Sequence, residues 1–379
     1  MPDAGRAWSD ERERLQINEF TMISAPLPDS GWSRDILHLR EATVCPAETH
    51  QDSPGLWCGG DVPQAATWRD GLRVTQPLAA APVPTARLPG RHLWGGVYFG
   101  HFGHFLVETL SRLWAAKTSG AESVIFTPRH SRLRDFVAYQ QELIALTLPD
   151  LPVRILRAPT EVEDLLVPGQ GFGLGEISAG TPAFRAFIRE AFRDIPAGGI
   201  ENVYISRTRF SGKGGIINEQ LVEDNLAAQG YTAIYPEKLS IREQLSIFKG
   251  ARRIVGLDSS AFHMLGFVAA PWQQACILLR RNHPAWQHIA AHLAGFTGRA
   301  PEVVDALVAD WMPERQKTPN HTTWGEIDQP RLARRLAELG FIADETRWRD
   351  ADADALADAL QRAEQRSQEP LVRRPVVRG

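Results

Sequence analysis

The hydrophobic pattern of the chain is clearest between residues 203 and 279, where short apolar runs alternate with helical patterns. The runs predict strands at residues 203–206, 231–235, 253–257 and 275–279. Strands and helices that alternate in this way are typical of a parallel sheet with helices on both faces. Ligands of such sheets bind beyond the carboxyl ends of the strands, so the loops at those ends are the first candidates for chemistry.

The helices between these strands carry their own start and stop signals. Asn218 is a suitable N-cap for the first helix, and Gly230 is a suitable residue to end it. Ser240 and Glu243 have the spacing of a capping box, which predicts the start of the second helix. A third, weaker helical pattern follows Ser260. The sequence therefore predicts four strands joined by three crossover helices.

A second α/β pattern lies upstream, between residues 93 and 167. A glycine turn is predicted at residues 95–100, followed by a buried helix over residues 101–114 with one wide apolar face. The other predicted elements are strands at residues 123–127, 153–156 and 165–167 and helices at residues 133–146, 184–192, 286–293, 331–339 and 350–365. Residues 1–91 predict irregular structure with some strand, at residues 36–39 and 72–75.

The length of the chain predicts more than one domain. At 379 residues it exceeds the size at which a single core keeps growing. The proline and the four glycines in residues 168–175 interrupt regular secondary structure and predict a domain boundary or hinge. We therefore expect an N-terminal α/β domain over residues 1–175, a Rossmann-like domain over residues 176–345, and a C-terminal helix and tail over residues 346–379.

The composition of the chain indicates which kinds of binding partner and which cellular compartment to expect. Lys and Arg number 42 against 45 Asp and Glu, a formal net charge of −3, which argues against nucleic acid as the main partner. Cys45, Cys58 and Cys276 are too few for a disulfide framework or a zinc ribbon, so we expect a reducing cytoplasm. No apolar run has the length of a signal peptide core or a membrane span. Peripheral association with the inner face of a membrane stays open.

The loop after the first strand is cationic and rich in glycine. It contains Arg207, Arg209 and Lys213. Arginine offers phosphate a bidentate fork, and lysine offers a mobile point charge. The spacing is not that of a Walker A loop. Because a helix N-terminus follows at Asn218 and Glu219, we expect the loop to bind a diphosphate, with a solvated basic loop as the alternative.

The loop after the third strand, Asp258-Ser259-Ser260, contains an acid and two hydroxyls. With His263 it has the residue types of a hydrolase triad, but one strand-loop-helix stretch cannot bring them into relay geometry, and the G-x-S-x-G elbow is absent. Two interpretations remain. Asp258 or Ser259 caps the following helix, or the hydroxyls contact phosphate or sugar at its N-terminus.

His101, His104 and Glu108 share one face of the predicted upstream helix. Two imidazoles and a carboxylate suit zinc or iron, which makes a metal site one interpretation. A second is a general base, because burial beside apolar residues tunes the proton affinity of such groups. The third is a structural pair of histidines with a buried, paired glutamate. The spacing alone does not choose among them.

Several stretches, taken in their order along the chain, resemble glycosyltransferase family 61. They are His-Phe-Leu-Val-Glu at residues 104–108, Tyr-Ile-Ser-Arg with the basic loop from residue 204, Ile-Asn-Glu at residues 217–219, Tyr-Pro-Glu-Lys-Leu-Ser at residues 235–240, and Ala-Arg-Arg-Ile-Val-Gly at residues 251–256. The resemblance covers roughly residues 95–279. It implies a GT-B fold, in which two Rossmann-like parallel-sheet domains face each other across a cleft.

The resemblance also implies inverting, metal-independent transfer of a sugar, with no cofactor. The expected donor is a UDP-linked sugar, and the expected acceptor is a glycan of a bacterial surface polysaccharide. In the family the downstream domain holds the donor. This maps the donor contacts onto Arg207, Arg209, Lys213, Asn218, Glu219, Glu237, Asp258, Ser259 and Ser260.

The family resemblance also assigns roles to some of these residues. Arg207 and Lys213 would stabilise the departing diphosphate, and Glu237 would bind the ribose hydroxyls. Glu108 or His104 would be the base, and the sequence does not choose between them.

The chain departs from the family pattern in one loop. The family has Gly-x-His-Gly-Ala where residues 256–261 read Gly-Leu-Asp-Ser-Ser-Ala. A sugar-nucleotide-binding module without turnover is therefore one alternative function. A metal-dependent hydrolase that uses His101, His104 and Glu108 is the other.

Overall fold

The computed structural model describes residues 25–47, 53–210, 212 and 214–376. By its internal contacts the chain divides into two compact units, the first up to Arg193 and the second from Asp194. Both units are mixed α/β structures with parallel strands. Among the described residues, no helix is long and apolar enough to cross a membrane.

The first unit is built on a six-stranded sheet. The described residues of this unit form the strands β1 (Ile36–Cys45), β2 (Gly55–Trp57), β3 (Trp68–Arg69), β4 (Leu72–Arg73), β5 (Ala86–Tyr98), β6 (Ser123–Pro128), β7 (Val153–Ile155) and β8 (Thr160–Pro168). The order in the sheet is β2-β1-β8-β5-β6-β7, with β3 and β4 forming a separate hairpin. Strands β5 to β8 pair in parallel, whereas β1 is antiparallel to β2 and β8.

The helical elements of the first unit follow the sequence pattern closely. A helical segment runs over residues 102–115 and consists of an α-turn (Phe102–His104), a π-helical turn (Phe105–Thr109) and a 3-10 stretch (Leu110–Ala115). Helices α1 (Ala138–Thr147) and α2 (Pro182–Ala191) come later. The strands and helices predicted over residues 101–192 are confirmed, with shifts at their ends.

The glycine turn predicted at residues 95–100 is wrong. Gly95 and Gly96 lie inside β5, which continues to Tyr98. The register with β6 shifts between Trp94 and Gly96, and Gly96 has φ +104°. The glycines therefore allow a bulge in a buried strand, a role that a sequence pattern does not distinguish from a turn.

The described residues of the second unit form nine strands in two sheets. The strands are β9 (Asn202–Ile205), β10 (Gly215–Ile216), β11 (Thr232–Ile234), β12 (Arg253–Leu257), β13 (Gln274–Leu278), β14 (Glu302–Val304), β15 (Leu307–Met312), β16 (Trp324–Ile327) and β17 (Val372–Pro375). The larger sheet has the order β11-β9-β12-β13-β14 and is parallel throughout, which confirms the predicted parallel sheet. The smaller sheet has the order β10-β16-β15-β17.

The helices of the second unit cover the predicted positions. They are α3 (Glu219–Ala228), α4 (Ile241–Gly250), α5 (Ala261–Val268), α6 (Trp286–Thr297), α7 (Gln329–Glu338) and α8 (Ala353–Ser367). The capping box is confirmed, because the Ser240 hydroxyl accepts from the Glu243 amide at 3.2 Å and the Glu243 carboxylate accepts from the Ser240 amide at 2.7 Å. Asn218 occupies the predicted N-cap position of α3, but it does not make the capping hydrogen bond expected of its side chain. Its backbone is left-handed, with φ +57°, and its side chain does not cap α3.

The strand order creates a switch point in the larger sheet. The chain passes from β9 to the edge strand β11 and then returns to the other side of β9 to form β12. Crossover helices therefore leave β9 and β12 in opposite directions, which opens a crevice at their carboxyl ends. The residues that follow these two strands are the starting point for the site.

Candidate functional site

Three arginines and one carboxylate gather at the carboxyl edge of the parallel sheet. Arg207 follows β9, Asp258 directly follows β12, and Arg280 and Arg281 follow β13. The Arg280 Nε lies 3.0 Å from the Asp258 Oδ1, and the Arg281 Nε lies 3.4 Å from its Oδ2. Asp258 is 1% exposed. The switch point therefore holds a buried ionic cluster, which we call the arginine cluster (Arg207, Arg280 and Arg281 around Asp258).

The Asp258 carboxylate is neutralised by proximity and not by directed bonds. The Arg280 Nε–H donates to the backbone carbonyl of Asp258 at 3.0 Å, while neither carboxylate oxygen accepts a hydrogen bond. Burial raises the pKa of Asp258, against the opposing effect of Arg280 and Arg281. A buried carboxylate without hydrogen bonds is costly, so this edge of the sheet is not optimised for stability alone.

The three guanidiniums of the arginine cluster lie near one another as well as near carboxylates, since Glu219 acts on Arg207 and Asp310 on Arg281 in addition to Asp258. Burial and then repulsion from Arg280 lower the pKa of Arg207 to about 10. The same two causes lower the pKa of Arg281 to about 10. The Nε groups of Arg207 and Arg281 donate no hydrogen bond. Several partly desolvated guanidiniums with donors to spare form a site for a polyanion, of which a diphosphate is the simplest.

The sequence analysis missed Arg280 and Arg281. They follow the fourth predicted strand, at the same edge of the sheet as the other loops. The donor contacts predicted from the sequence lie only in the loops after the first three strands. The rule that parallel strands end at a common edge applies to the fourth strand as well. Strand order was needed to bring these two arginines next to Asp258.

The 207–215 loop packs against the arginine cluster. The Cζ of Arg207 lies 4.4 Å from the ring centroid of Phe210, and its Nη2 donates to the Gly214 carbonyl at 3.3 Å. Gly214 has φ +78°, and a side chain there would meet the Arg280 guanidinium. Glycine is thus required where the loop approaches Arg280. The predicted contact Lys213 lies outside the described residues.

Two glutamates of α3 tie the loop to the sheet. Glu219 is buried and accepts from the Tyr204 hydroxyl at 3.1 Å and from the Arg207 amide at 2.7 Å. Burial raises its pKa to about 7. Glu223, which the sequence analysis missed, accepts from the hydroxyls of Ser206, Thr208 and Tyr235. Glu219 thus binds the loop at the Arg207 amide, and Glu223 binds it at the Thr208 hydroxyl.

The remaining predicted donor contacts lie around this loop. Arg209 is exposed and stacks on Tyr235, with its Cζ 4.0 Å from the ring centroid. Glu237 is exposed on the 3-10 turn that follows β11, and Asn218 precedes α3. Ser259 and Ser260 are partly buried in the turn before α5.

Ser260 occupies the N-cap position of α5, and of the two residues predicted to cap this helix, Asp258 and Ser259, the structure rules out Asp258. The Ser260 side chain makes no cap. Neither carboxylate oxygen of Asp258 accepts a hydrogen bond, so Asp258 does not cap the helix either. The amides of Phe262 and His263 in the first turn donate instead to the backbone carbonyls of Ser259 and Ser260, at 3.1 and 3.0 Å.

A second group of polar residues lies in the first unit, on the 102–115 helical segment. The π-helical turn places His104 and Glu108 side by side, with the His104 Nδ1 3.1 Å from the Glu108 Oε2. The Glu108 side chain is 0% exposed, whereas that of His104 is 34% exposed. His101 is exposed, with its ring centroid 5.5 Å from that of His104. Only His104 of the closely coupled pair is open to a reactant.

Arg69 of β3 completes this group, which we call the base triad (Arg69, His104 and Glu108). Its Nε donates to the Glu108 Oε1 at 2.6 Å and its Nη2 to the Oε2 at 2.9 Å. Gln170 fixes β3 by bonding both the amide and the carbonyl of Trp68. The sequence analysis missed Arg69, because no local spacing links it to a helix so far along the chain.

Two tautomers of His104 are compatible with the distances. The Nδ1 lies 3.1 Å from the Glu108 Oε2 and 3.2 Å from the Arg69 Nη2. Arg69 already donates one hydrogen from Nε and one from Nη2 to Glu108. The charged Glu108 carboxylate is a strong acceptor for an N–H at the His104 Nδ1, and this bond is favoured over a second bond from the Arg69 Nη2. We therefore place a hydrogen on Nδ1, which leaves the Nε2 lone pair available.

The charge state of Glu108 follows from its contacts. Burial alone would raise its pKa, but the hydrogen bonds from His104 and Arg69 outweigh burial and hold the pKa below its ordinary value. Glu108 is thus a charged orienting group and a poor base. No group of three or more His, Cys, Asp or Glu side chains in the described part of the chain could hold a metal ion, and Arg69 occupies both oxygens of Glu108.

Comparison with known proteins gives a family for the central part of the chain. Residues 102–276 match the family model described as Glycosyltransferase 61. No curated protein matches the chain. The dodecameric iron-containing heptosyltransferase TibC in complex with ADP-D-beta-D-heptose aligns at 13% identity and a TM-score of 0.31, over 74% of this chain and 85% of that chain. TibC from enterotoxigenic E. coli H10407 aligns at 12% identity and a TM-score of 0.31, over 75% and 85%. Alignments at this TM-score support no conclusion.

Proposed function

Residues 102–276 are a glycosyltransferase family 61 domain, and from this premise we propose that the chain transfers a sugar from a nucleotide-sugar donor to a glycan acceptor, with inversion and without a metal ion. The expected donor is UDP-linked, and the expected setting is the synthesis of a surface polysaccharide. The fold that the family resemblance implies, GT-B, is part of the proposal.

The arginine cluster is the observation that carries the donor assignment. It stands at the switch point of a parallel sheet, where ligands of such sheets bind. Its three guanidiniums lie near one another, and the Nε groups of Arg207 and Arg281 donate no hydrogen bond. A nucleoside diphosphate would supply acceptors for these two Nε–H groups and negative charge beside the three guanidiniums.

The same arginines explain how transfer proceeds without a metal ion. When the bond from the anomeric carbon to the phosphate oxygen breaks, its electron pair leaves with the nucleoside diphosphate. Arg207, Arg280 and Arg281 stabilise the charge that develops there, a task that a divalent ion performs in other enzymes. Fixed guanidiniums in a partly desolvated site need little reorganisation for this.

The base triad supplies the proton acceptor. The acceptor hydroxyl attacks the anomeric carbon from the face opposite the leaving group, and its proton passes to the Nε2 of His104. Glu108 stabilises the imidazolium through Nδ1–H, and Arg69 keeps Glu108 charged. His104 is preferred over Glu108 as the base because only its side chain has exposed surface, 34% against 0%.

Product analysis tests the function. The purified protein is incubated with a panel of UDP-sugars and glycan acceptors in EDTA, and released UDP and the anomeric configuration of the product are followed by NMR. Transfer with inverted configuration in EDTA supports the proposal. Activity that appears only after a divalent ion is added contradicts metal independence. Tight donor binding with neither transfer nor slow donor hydrolysis indicates a binding module without turnover.

A further inference from the structure

The C-terminal helix α8 packs on the part of the second unit that carries the 207–215 loop. Ala359 and Ala363 of α8 form an apolar cluster with Ile217 and Trp324. Ile217 comes directly after β10, which pairs with β16 at Trp324. The packing therefore fixes α8 next to the point where the loop rejoins regular structure, and α8 lies outside residues 102–276 of the family match.

One residue of the last turn of α8 contacts the loop itself. The Nη2 of Arg366 donates to the Phe210 carbonyl and to the Gly212 carbonyl, the latter at 2.8 Å. The Arg366 Cζ lies 4.7 Å from the ring centroid of Trp324, whose indole N–H donates to the Ser367 hydroxyl at 2.9 Å. One guanidinium thus joins the helix, the smaller sheet and two loop carbonyls.

Phe210 is contacted both by Arg366, through its carbonyl, and by Arg207, through its ring. Arg207 stacks on the Phe210 ring and donates to the Gly214 carbonyl, so its guanidinium rests on the described residues of the loop. A glycine-containing loop has many alternative conformations unless its carbonyls are fixed. Losing the Arg366 contacts frees the loop and with it Arg207.

We propose that Arg366 is a positioning residue that holds the 207–215 loop in the conformation in which Arg207 joins the arginine cluster. This inference rests on the proposed function, since it treats the loop as part of the donor site. Arg366 acts through the loop and not on the reacting atoms. The C-terminal helix is then a part of the donor site that the family match does not include.

Calorimetric titration with UDP, GDP, ADP and CDP in EDTA tests the proposal. Arg366→Ala is expected to weaken the best-bound diphosphate about tenfold, the effect of one charge-assisted contact. Arg366→Lys is expected to be intermediate, because an ammonium can donate to a loop carbonyl but cannot stack on Trp324 in the same way. Arg362→Ala is the matched control, since Arg362 is exposed one turn earlier on α8. The affinity of Arg362→Ala for the diphosphate should equal that of the wild type.

Amide hydrogen exchange without ligand provides a second readout. In Arg366→Ala, exchange should accelerate in peptides covering residues 208–214 and stay unchanged in those covering α4. Equal affinity in Arg366→Ala and Arg362→Ala would overturn the positioning role and leave the donor site intact. If the wild type bound no diphosphate, the proposed function would fail, and exchange alone would decide whether Arg366 restrains the loop. Amide exchange that is unchanged in Arg366→Ala would then overturn the role of Arg366 in restraining the loop.

Discussion

Both candidate regions surround a buried carboxylate with cations, but they leave the carboxylate in different states. In the base triad, Glu108 accepts two bonds from Arg69 and lies 3.1 Å from the His104 Nδ1. In the arginine cluster, Asp258 has three cations nearby, and neither of its carboxylate oxygens accepts a hydrogen bond. The first region is complete by itself, as an acid–base device must be before a substrate arrives.

The second region is complete only with a ligand. Like charges held close together cost free energy unless an anion joins them, and buried donors without acceptors add to that cost. Under the proposed function, the proton acceptor belongs to the base triad and the donor site to the arginine cluster. Substitutions in the two regions should therefore have separable effects.

The largest expected effect comes from removing the base. His104→Ala should lower the transfer rate by about 10² to 10⁴ while leaving diphosphate binding unchanged, because the general base acts only in the chemical step. Steady-state transfer assays and calorimetry on the same preparation measure the two quantities. His101→Ala is the control, since His101 is exposed and outside the base triad. Transfer that survives in His104→Ala and is lost in Glu108→Gln would make Glu108 the base.

A smaller but substantial effect is expected on stability. Arg69→Met leaves Glu108 buried without its guanidinium, which should lower the free energy of unfolding at pH 7 by about 3 kcal/mol. The pKa of Glu108 is lowered in the folded protein, so the stability that it contributes is present above its ordinary value of 4.5 and is lost as the pH falls through the folded pKa.

The deficit of Arg69→Met should therefore shrink as the solution is acidified. Urea unfolding at pH 7 and pH 4 measures the deficit at both ends of this range. Exposed Arg87, which lies on β5, provides the control Arg87→Met. An equal deficit at both pH values would show that Arg69 contributes by packing alone.

The smallest effect is expected at Asp258. Asp258→Asn removes a negative charge that competes with a bound anion, so pyrophosphate should bind a few-fold more tightly. Weakened binding would mean instead that the carboxylate holds the arginines in place for the ligand. Calorimetry at two salt concentrations shows whether the change is electrostatic.

The sequence predicted the repeating elements well, because hydrophobic period and capping chemistry are local. The four strands of residues 203–279 and the capping box at Ser240 are examples. It did not predict what depends on pairing between distant segments. Gly96 forms a bulge and not a turn, Arg69 reaches Glu108 from another element, and Arg280 approaches Asp258 only through the strand order.

The type of a residue does not by itself fix its role in the folded chain, as Asn218 and Glu219 show. Asn218 was predicted to cap a helix with its side chain, but it adopts a left-handed backbone conformation that asparagine tolerates. The motif gave no sign that Glu219 is buried and accepts hydrogen bonds from the Tyr204 hydroxyl and the Arg207 amide, while its contact with a donor stays a prediction. Burial, which decides between ligand and support, follows from the packed structure and not from the motif.

Calorimetric titration with nucleoside diphosphates in EDTA, on the wild type and two variants, tests the central claim most directly. The wild type should bind one nucleoside diphosphate in preference to the others. Arg207→Ala should weaken it by roughly 1.5 to 3 kcal/mol, the range for a hydrogen bond to a charged group. Arg252→Ala should leave it unchanged, because Arg252 is exposed at the amino end of β12, opposite the arginine cluster. Equal affinity in all three proteins, or no binding by the wild type, would contradict the assignment of the arginine cluster as the donor site.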